Sequence, residues 1–471
     1  MISLVGGGPK NNWLWLLLPL SLFGCKAPPQ TDVSADAARL TGVSGAIVFH
    51  DTLAPGPATA PSIATLSQEQ SIRLALENDP RIQSALGRVR GAEADAKQAR
   101  HLANPVISVD VRAPQNGPPT AIETALSEDL ISLLSKPAQI SAADDRLRAA
   151  AADALTTVLD VIAEVQNAYT SIQSIDAEVA YIQEQEAIIS RMRDLAQQRL
   201  TAGEATRLDV LTLAAQRAQL VVAMSDLRLQ RVEQRLILAR LIGQPRGAAD
   251  WQLDPWREPL ALQSEESAWI DAALINRPEI QSRSWELAAL GSDRDVADFA
   301  PLNGATIGAH AEHDPVWRVG PTLSTPVPIF DFGQDTRGKA RALVFAARQD
   351  LAQQKLMVIE EVRRAYATYK ATLEELTTAR NDLIPLQEQQ HQQAELAYQS
   401  GDTDLATLLL AENELRSTRA TMVGLQQKVA GALVRLQRAA GGSAVAARVP
   451  TTLPAAATEP AATRPDSGLL Q

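Results

Sequence analysis

Four short segments of the chain alternate apolar and polar residues with a period of two, which is the pattern of β-strands. The apolar positions of the first two segments are Ile107, Val109 and Val111, then Ile122, Thr124 and Leu126. Those of the last two segments are Ala305, Ile307, Ala309 and Ala311, then Trp317, Val319, Pro321 and Leu323. The pattern predicts two β-hairpins.

Charged residues on the polar side of these strands help to distinguish a soluble sheet from a membrane barrel. A small soluble sheet would place one face on a core. Strands of about 8 to 10 residues with a charged polar face are instead typical of a membrane barrel, with lipid outside and water inside. Four strands cannot close a barrel, and lipid does not tolerate open sheet edges. The sequence therefore predicts an oligomer: two copies would supply eight strands and three copies twelve, and only the larger number leaves a clear aqueous lumen.

Very long helices accompany the strands. No helix breaker occurs from Pro137 to Leu200, and almost none from Gln334 to Ser400. At 1.5 Å per residue, roughly 64 residues make a rod of about 95 Å, far longer than a helix of a globular domain. Pro385 cannot donate an intrahelical hydrogen bond, so we expect a kink or split in the second rod.

Each rod is followed by a glycine-containing turn and a second helix. The turns lie in RLTAGEATRLDVL, from Arg199 to Leu211, and in YQSGDTDLATLLL, from Tyr398 to Leu410. The pattern predicts two antiparallel helical hairpins, each with its own tip. The helix after Gly203 carries a seam that steps by four and three and predicts a coiled coil. Its positions are Leu211, Ala215, Ala218, Val222, Ser225, Leu229, Val232, Leu236, Ala239 and Gly243.

The chain repeats itself at a nearly constant distance. ALENDPRIQS begins at Ala75, and ALINRPEIQS begins 198 positions later with seven of ten residues identical. EVQNAY and EVRRAY are 197 positions apart, and Gly203 and Gly401 are 198 apart. This predicts two internal structural repeats, residues 63–243 and 265–441, joined by an inter-repeat equatorial segment, residues 244–264.

The ends of the chain have a different composition. Residues 1–24 contain a short apolar run, which indicates a signal peptide. The sequence Leu22-Phe23-Gly24-Cys25 resembles the bacterial lipobox, so we expect lipidation of Cys25, the only cysteine; the alternative is an ordinary free or buried thiol. Lys26 after it favours the outer membrane by resemblance to bacterial sorting rules. We expect residues 25–62 to be a lipidated tether and residues 442–471 a disordered tail.

Composition and missing motifs exclude several functions. The net charge of −11 comes from interspersed signs and leaves no basic stripe for nucleic acid. Motifs for nucleotide binding, nucleophilic hydrolysis and zinc or redox chemistry are missing. His310 and His313 lie an odd number of positions apart on a strand and so point to opposite faces, and we expect no metal there. No second apolar run reaches the length of a helical membrane span.

Taken together, these elements resemble the TolC-type outer-membrane factor family in its lipoprotein form, over about residues 66–441. The resemblance rests on the ALENDP and ALINRP motifs, LSTPVPIFDFGQ, YQSGDTDLATLLLAENEL and the order of hairpins. The first repeat departs from the family pattern, because it has LSEDLISLLSKP in place of the proline-rich turn. The resemblance implies a mostly α chain with a small β part. It also implies a homotrimer, in which a 12-stranded outer-membrane barrel is continuous with a helical tunnel. The partners it implies are a periplasmic adaptor and an inner-membrane pump, and it implies no cofactor.

The resemblance also directs attention to the helical tips. We expect an acidic constriction from Asp209, Asp402 or Asp404, because a threefold ring of carboxylates attracts cations. The alternative is that these residues are solvated or cap helices. Tip residues that we expect to contact an adaptor are Gly203, Leu208, Gly401 and Leu405.

The function that the resemblance predicts is a passive, lipid-anchored export duct of the outer membrane that extends into the periplasm. A periplasmic coiled-coil scaffold or adaptor is the main alternative, and an enzyme the third.

Overall fold

The computed structural model describes residues 27–43, 47, 49, 65–112, 121–203, 205–256, 264–313 and 316–449. The predicted signal peptide and Cys25 lie outside these residues, and so does the side chain of Leu405. Two compact units are present. The sheet unit includes Arg90–Leu147 and Ala288–Val344, and the helical unit includes Asp32–Val89, Arg148–Leu287 and Phe345–Gln471.

The described elements alternate between short and very long helices. In the first half of the chain they are α1 (Val33–Thr41), β1 (Thr65–Leu66), α2 (Gln68–Asn78), α3 (Pro80–Gln98), β2 (Val106–Arg112), β3 (Ala121–Asp129), α4 (Leu130–Leu134), α5 (Lys136–Ala202) and α6 (Arg207–Leu241). In the second half they are β4 (Gln252–Leu253), α7 (Glu266–Asn276), α8 (Pro278–Ala297), β5 (Thr306–His313), β6 (Trp317–Ser324), α9 (Gln334–Thr378), α10 (Ile384–Ser400), α11 (Leu405–Ala439) and α12 (Ser443–Ala446). A 3-10 turn spans Ala300–Leu302, and a π-helical turn, Ala379–Leu383, joins α9 to α10. The prediction of a mostly helical chain with a small β part is confirmed.

The sheet unit contains one four-stranded antiparallel sheet in the order β2-β3-β5-β6. β2 pairs with β3 and β5 with β6, as the period-two pattern predicted, and β3 pairs with β5 between the two hairpins. Within the described chain β2 and β6 are therefore edge strands, each with one unpaired side. A second, two-stranded parallel sheet of β1 and β4 lies in the helical unit and was not predicted.

The repeat spacing of 197 to 198 positions coincides with matching contacts in the helical unit. The hydroxyl of Tyr169 donates to the Leu66 carbonyl at 2.9 Å, and that of Tyr366 donates to the Ser264 carbonyl at 3.1 Å. Each accepting residue directly precedes the N-cap of a short helix, α2 or α7. The two tyrosines of the EVQNAY and EVRRAY motifs thus fasten a long helix to the start of a short one.

Asparagine and glycine meet in the same way in both halves. The Asn78 amide donates to the Leu74 carbonyl and the Asn276 amide to the Ala272 carbonyl, both at 2.8 Å. Gly243 has a φ of 77°, and a Cβ there would lie 2.3 Å from Asn78 Cβ. Gly441 has a φ of 100°, and its Cβ would lie 3.2 Å from Asn276. A larger residue at Gly243 is excluded both by conformation and by space.

Charged residues at these junctions differ between the halves. Arg81 binds both Asp79 and Glu164, at 2.9 and 2.8 Å. In the second half Arg277 occupies the position of Asp79, and it binds Glu279 and Glu361 at 3.0 and 2.8 Å. The charges of Asp79 and Arg81 are thus exchanged at Arg277 and Glu279, yet in each half a single arginine bridges two carboxylates. Arg438 adds a further pair to Glu279 at 2.6 Å.

The tether and tail predictions are wrong for two short segments. α1 lies in residues 25–62 and α12 in residues 442–471, and both bury side chains, including Val33, Leu40 and Val445. Asp32 caps the start of α1, Gly42 ends it with a φ of 71°, and the Ser443 hydroxyl donates to the Thr41 carbonyl at 2.7 Å. Their composition concealed them, because helices of this length are stable only through contacts distant in sequence.

The long helices form two apolar cores in the helical unit. α5 is 67 residues long, about 100 Å, as the absence of breakers predicted. One core joins Ile175, Ile182 and Ile189 of α5 to Leu213 and Leu220 of α6. The other joins α7, α9 and α11 around the fully buried Trp269. The second rod is interrupted at the π-helical turn, which ends two residues before Pro385, where a kink or split was predicted.

Candidate functional site

The first helical tip is closed by glycine and a capping box. Gly203 has a φ of 82°, which favours glycine, although a Cβ there would meet no atom within 4 Å. The hydroxyl of Thr206 accepts from the backbone N–H of Asp209 at 3.2 Å, and the Asp209 carboxylate accepts from the N–H of Thr206 at 2.8 Å. Asp209, predicted as a constriction residue, therefore has a local role as a helix cap.

The second tip is built similarly around Gly401, with a φ of 83°. Asp404 is the N-cap of α11 and accepts from the backbone N–H and hydroxyl of Thr407 at 2.9 and 2.8 Å. These hydrogen bonds lower the pKa of Asp404 below its usual value. Asp402 accepts from the Ser400 hydroxyl at 2.8 Å. Both carboxylates are exposed, and among the described residues no hydrogen bond or ion pair joins either of them to Asp209.

One contact links the two tips and was not predicted. The guanidinium of Arg199, at the end of α5, donates to the Tyr398 hydroxyl of α10 at 3.3 Å and lies 5.5 Å from the centre of its ring. A cation over an aromatic face is a modest attraction, which a competing partner can replace. The only sequence signal was that both residues lie in the quoted turn motifs at nearly equivalent positions.

The candidate adaptor residues lie at the ends of the hairpins. Leu208 is 70 % exposed in the first turn of α6. Gly203 and Gly401 form the turns themselves, and Leu405 begins α11. Their placement at the tips agrees with the prediction, while a contact with a partner protein remains a prediction.

The four-stranded sheet has one polar and one apolar face. A row of charges crosses the polar face, because Asp110 lies opposite Glu123, Glu123 opposite Glu312, and Glu312 opposite Arg318. Arg112 binds Glu123 at 2.8 Å. Like charges directly opposite each other destabilise a sheet unless water or a cation screens them, so this face requires an aqueous environment.

The opposite face of the sheet is apolar and uncovered within the chain. Its side chains include Ile107, Val109, Val319 and Leu323, which are 62 to 71 % exposed. His313 and Trp317 lie at one end of this face, with ring centroids 5.0 Å apart. His310 instead approaches Glu123 on the polar face at 3.7 Å. An uncovered apolar surface of this size indicates contact with lipid or another protein.

A second uncovered apolar surface runs along α6. The positions of its predicted heptad seam from Leu211 to Leu236, which we call the exposed seam, lie on this surface. Val222 and Leu229 are 63 % and 60 % exposed, whereas Ala239 further along the seam is buried. The side chains of α6 that are buried in the chain, including Leu213, Leu220 and Leu227, lie on another side of the helix. Leu220 and Leu229 are nine residues, or about two and a half turns, apart, which places them on opposite sides of α6. The helix is thus apolar on two sides, and the chain covers only one.

Metal sites and membrane-spanning helices were considered from the described residues alone. Within the described ranges, no three or more His, Cys, Asp or Glu side chains are grouped so that they could bind a metal ion. None of the described helices combines the length and apolar character needed to cross a membrane.

The chain matches the family described as outer membrane efflux protein over residues 71–244 and again over residues 269–442. It is 28 % identical over 333 residues to the pyoverdine export outer membrane protein OpmQ of Pseudomonas aeruginosa. This match covers 63 % of the chain and 65 % of the relative, so the chain spans just under two thirds of the relative's length.

Solved structures have a similar fold. The outer-membrane channel OprN gives a TM-score of 0.66 at 21 % identity and covers 89 % of this chain and 97 % of its own. The outer membrane protein VceC from Vibrio cholerae gives a TM-score of 0.66 at 19 % identity, with 80 % and 96 % covered. At such identities the similarity concerns the fold.

Proposed function

We propose that three copies of this chain, which belongs to the outer membrane efflux protein family, form a passive duct through the outer membrane. Each chain supplies four strands to a 12-stranded barrel, and its two halves act as repeats that supply a helical tunnel in the periplasm. An adaptor docks at the tips, and an inner-membrane pump provides the energy. Lipidation of Cys25 in the lipobox-like sequence anchors the chain. No catalysis and no cofactor are part of this function.

The sheet is the observation that carries the proposal. Its apolar face is uncovered, its polar face carries a row of charges, and both β2 and β6 present an unpaired edge. In lipid the backbone groups of both edges must be paired, and neighbouring copies pair them without any further element. A soluble scaffold gives no reason for an uncovered apolar sheet face, so the duct is favoured over the scaffold.

The exposed seam of α6 supports the same assembly. An apolar heptad stripe in water is stabilised when a neighbouring helix covers it. In a trimer, the exposed seam of one copy packs against the helices of the next copy. The two apolar sides of α6 then have separate roles. The stripe that the chain buries itself holds the hairpin together, and the exposed seam holds the copies together.

We expect a lysine substitution on the apolar face of β2 to impair assembly in the outer membrane, and one on the polar face to leave assembly unchanged. Val109→Lys places a charge against the hydrocarbon near the middle of the strand, at a cost of about 2–4 kcal/mol. Ser108→Lys, one position earlier, places it in the water-filled interior. The fraction of protein recovered in the outer membrane as a heat-modifiable oligomer should fall for Val109→Lys and stay near the wild-type value for Ser108→Lys. Equal recovery of the two variants would argue against lipid on the apolar face.

The proposed constriction is tested by variants that keep the helix caps. Asparagine caps a helix about as well as aspartate, so Asp404→Asn removes only the charge, whereas Asp404→Ala removes the charge and the cap. In planar bilayers we expect Asp404→Asn to raise the single-channel conductance and to shift the cation-to-anion permeability ratio towards one. The same pair of variants applies to Asp209 and Asp402. A residue whose asparagine variant conducts and selects as the wild type does has no role in a constriction and only its local hydrogen bonds, which cap a helix at Asp209 and Asp404 and join Asp402 to Ser400.

A further inference from the structure

His310 lies on the polar face of the four-stranded sheet and is surrounded there by small residues. Its direct neighbours across the two strand pairings are Ala125 on β3 and Gly320 on β6. Gly308 precedes it on the same face of β5, since side chains two positions apart share a face. A Cβ at Gly320 would meet no atom within 4 Å. The imidazole therefore has room to lean along the sheet, and its Nε2 lies 3.7 Å from Oε1 of Glu123.

The charged groups around His310 do not balance while the imidazole is neutral. Arg112 binds Glu123 at 2.8 Å, and Arg318 lies 3.8 Å from Glu312. Asp110 lies opposite Glu123, and within the described strands no arginine pairs with it. Towards the end of the sheet where both hairpins turn, the polar face thus carries three carboxylates and two guanidinium groups: Asp110, Glu123, Glu312, Arg112 and Arg318. A further carboxylate of this face, Asp129, caps α4 at the opposite end of β3.

A proton on His310 removes this imbalance. Histidine changes its charge between about pH 5 and 8, whereas carboxylates and guanidinium groups in water largely keep theirs over this range. On the described polar face, His310 is the one side chain of a type that titrates there. With a neutral imidazole the group around it has one negative charge in excess, and with a protonated imidazole it has none. Three copies in a ring change from three negative charges in excess to a balanced ring.

We propose that His310 sets the ion selectivity of the barrel and removes its preference for cations when it is protonated. This role rests on the proposed duct, in which the polar face lines the lumen and the hairpin turns face the exterior. A ring of carboxylates in a pore attracts cations, and the low dielectric of the surrounding wall strengthens its field. His313, three positions further along β5, packs against Trp317 on the apolar face. It therefore lies outside the lumen, and only one of the two histidines of this strand can act on passing ions.

Reversal potentials of the purified full-length protein in planar bilayers test the role of His310. In a potassium chloride gradient, the cation-to-anion permeability ratio of the wild type should fall at least about twofold from pH 8 to pH 5, since potentials in charged clefts reach several kT. His310→Gln, which cannot be protonated, should keep the higher ratio at both pH values. His310→Lys should show the lower ratio at both. His313→Gln is the matched control, because it removes a histidine from the other face of the same strand, and it should respond to pH as the wild type does.

The outcomes separate His310 from the duct itself. If the wild type conducts and its selectivity does not change with pH, or if the change persists in His310→Gln, the role of His310 is wrong and the duct stands. The same conclusion follows if His313→Gln abolishes the change as fully as His310→Gln does. If the wild type forms no pore, the proposed duct is wrong and the role of His310 falls with it.

Discussion

Leu229→Lys is expected to prevent assembly of the trimer while leaving the fold of the single chain intact. The side chain is 60 % exposed in the chain, so the substitution removes little intrachain packing. In the proposed trimer the same position lies in the seam between copies. Each copy then loses about 1.5–3 kcal/mol of apolar burial and must also desolvate an ammonium group. Threefold symmetry applies this cost three times in each trimer.

Size-exclusion chromatography with light scattering in detergent would measure the loss of the trimer, and circular dichroism would report whether the helices persist. Gln230→Lys is the matched control, because residue 230 is also exposed on α6 but lies about 100° around the helix from Leu229. We expect this variant to remain trimeric. A trimeric Leu229→Lys protein would show that the exposed seam does not hold the copies together.

Arg277→Ala is expected to destabilise the helical unit strongly. The side chain is 5 % exposed and binds Glu279, Glu361 at 2.8 Å and the Ala439 carbonyl at 3.1 Å. Removing one partner of a buried charge pair typically costs about 3–5 kcal/mol. Because Glu279 keeps its pair with Arg438 and Glu361 is half-exposed, we expect the lower end of this range, about 3 kcal/mol. Arg364→Ala removes an arginine that is 75 % exposed and paired only within its own helix, and should cost less than about 0.5 kcal/mol. Denaturation of both variants in detergent would measure the difference.

The effect of Arg277→Ala should depend on pH. Burial alone would raise the pKa of Glu279, but the charges of Arg438 and Arg277 outweigh it, and the pKa of Glu279 lies below its usual value. Such a carboxylate stabilises the fold above the unfolded glutamate pKa of about 4.3, and this contribution is lost as the pH falls through the lower folded value. The gap in stability between wild type and Arg277→Ala should therefore narrow below about pH 4. A constant gap across this range would mean that Glu279 is not the group through which Arg277 acts.

The strands and hairpin tips were predictable because local geometry dictates their sequence. A strand imposes a period of two on Ile107, Val109 and Val111, whichever partner it pairs with. A turn with positive φ selects glycine at positions 203 and 401. The helix interruption precedes Pro385 because the proline ring displaces the carbonyl four residues before it.

The contacts that were missed join residues far apart in sequence. Nothing local to Arg199 indicates that its partner is Tyr398. The repeat places Arg277 at the position of Asp79, but nothing local indicates that it bridges two carboxylates. The heptad pattern of α6 likewise predicted a seam without showing that a different stripe, around Leu220, is the one buried within the chain. Whether an apolar stripe packs against its own chain or against another copy depends on the three-dimensional packing of the helices.

In the proposed duct, one chain carries too few strands to seal a pore, and identical copies complete its wall. Native mass spectrometry of the mature protein released from detergent micelles would count these copies. We expect a complex with three times the mass of the mature chain. A single chain or a dimer as the intact species would contradict it.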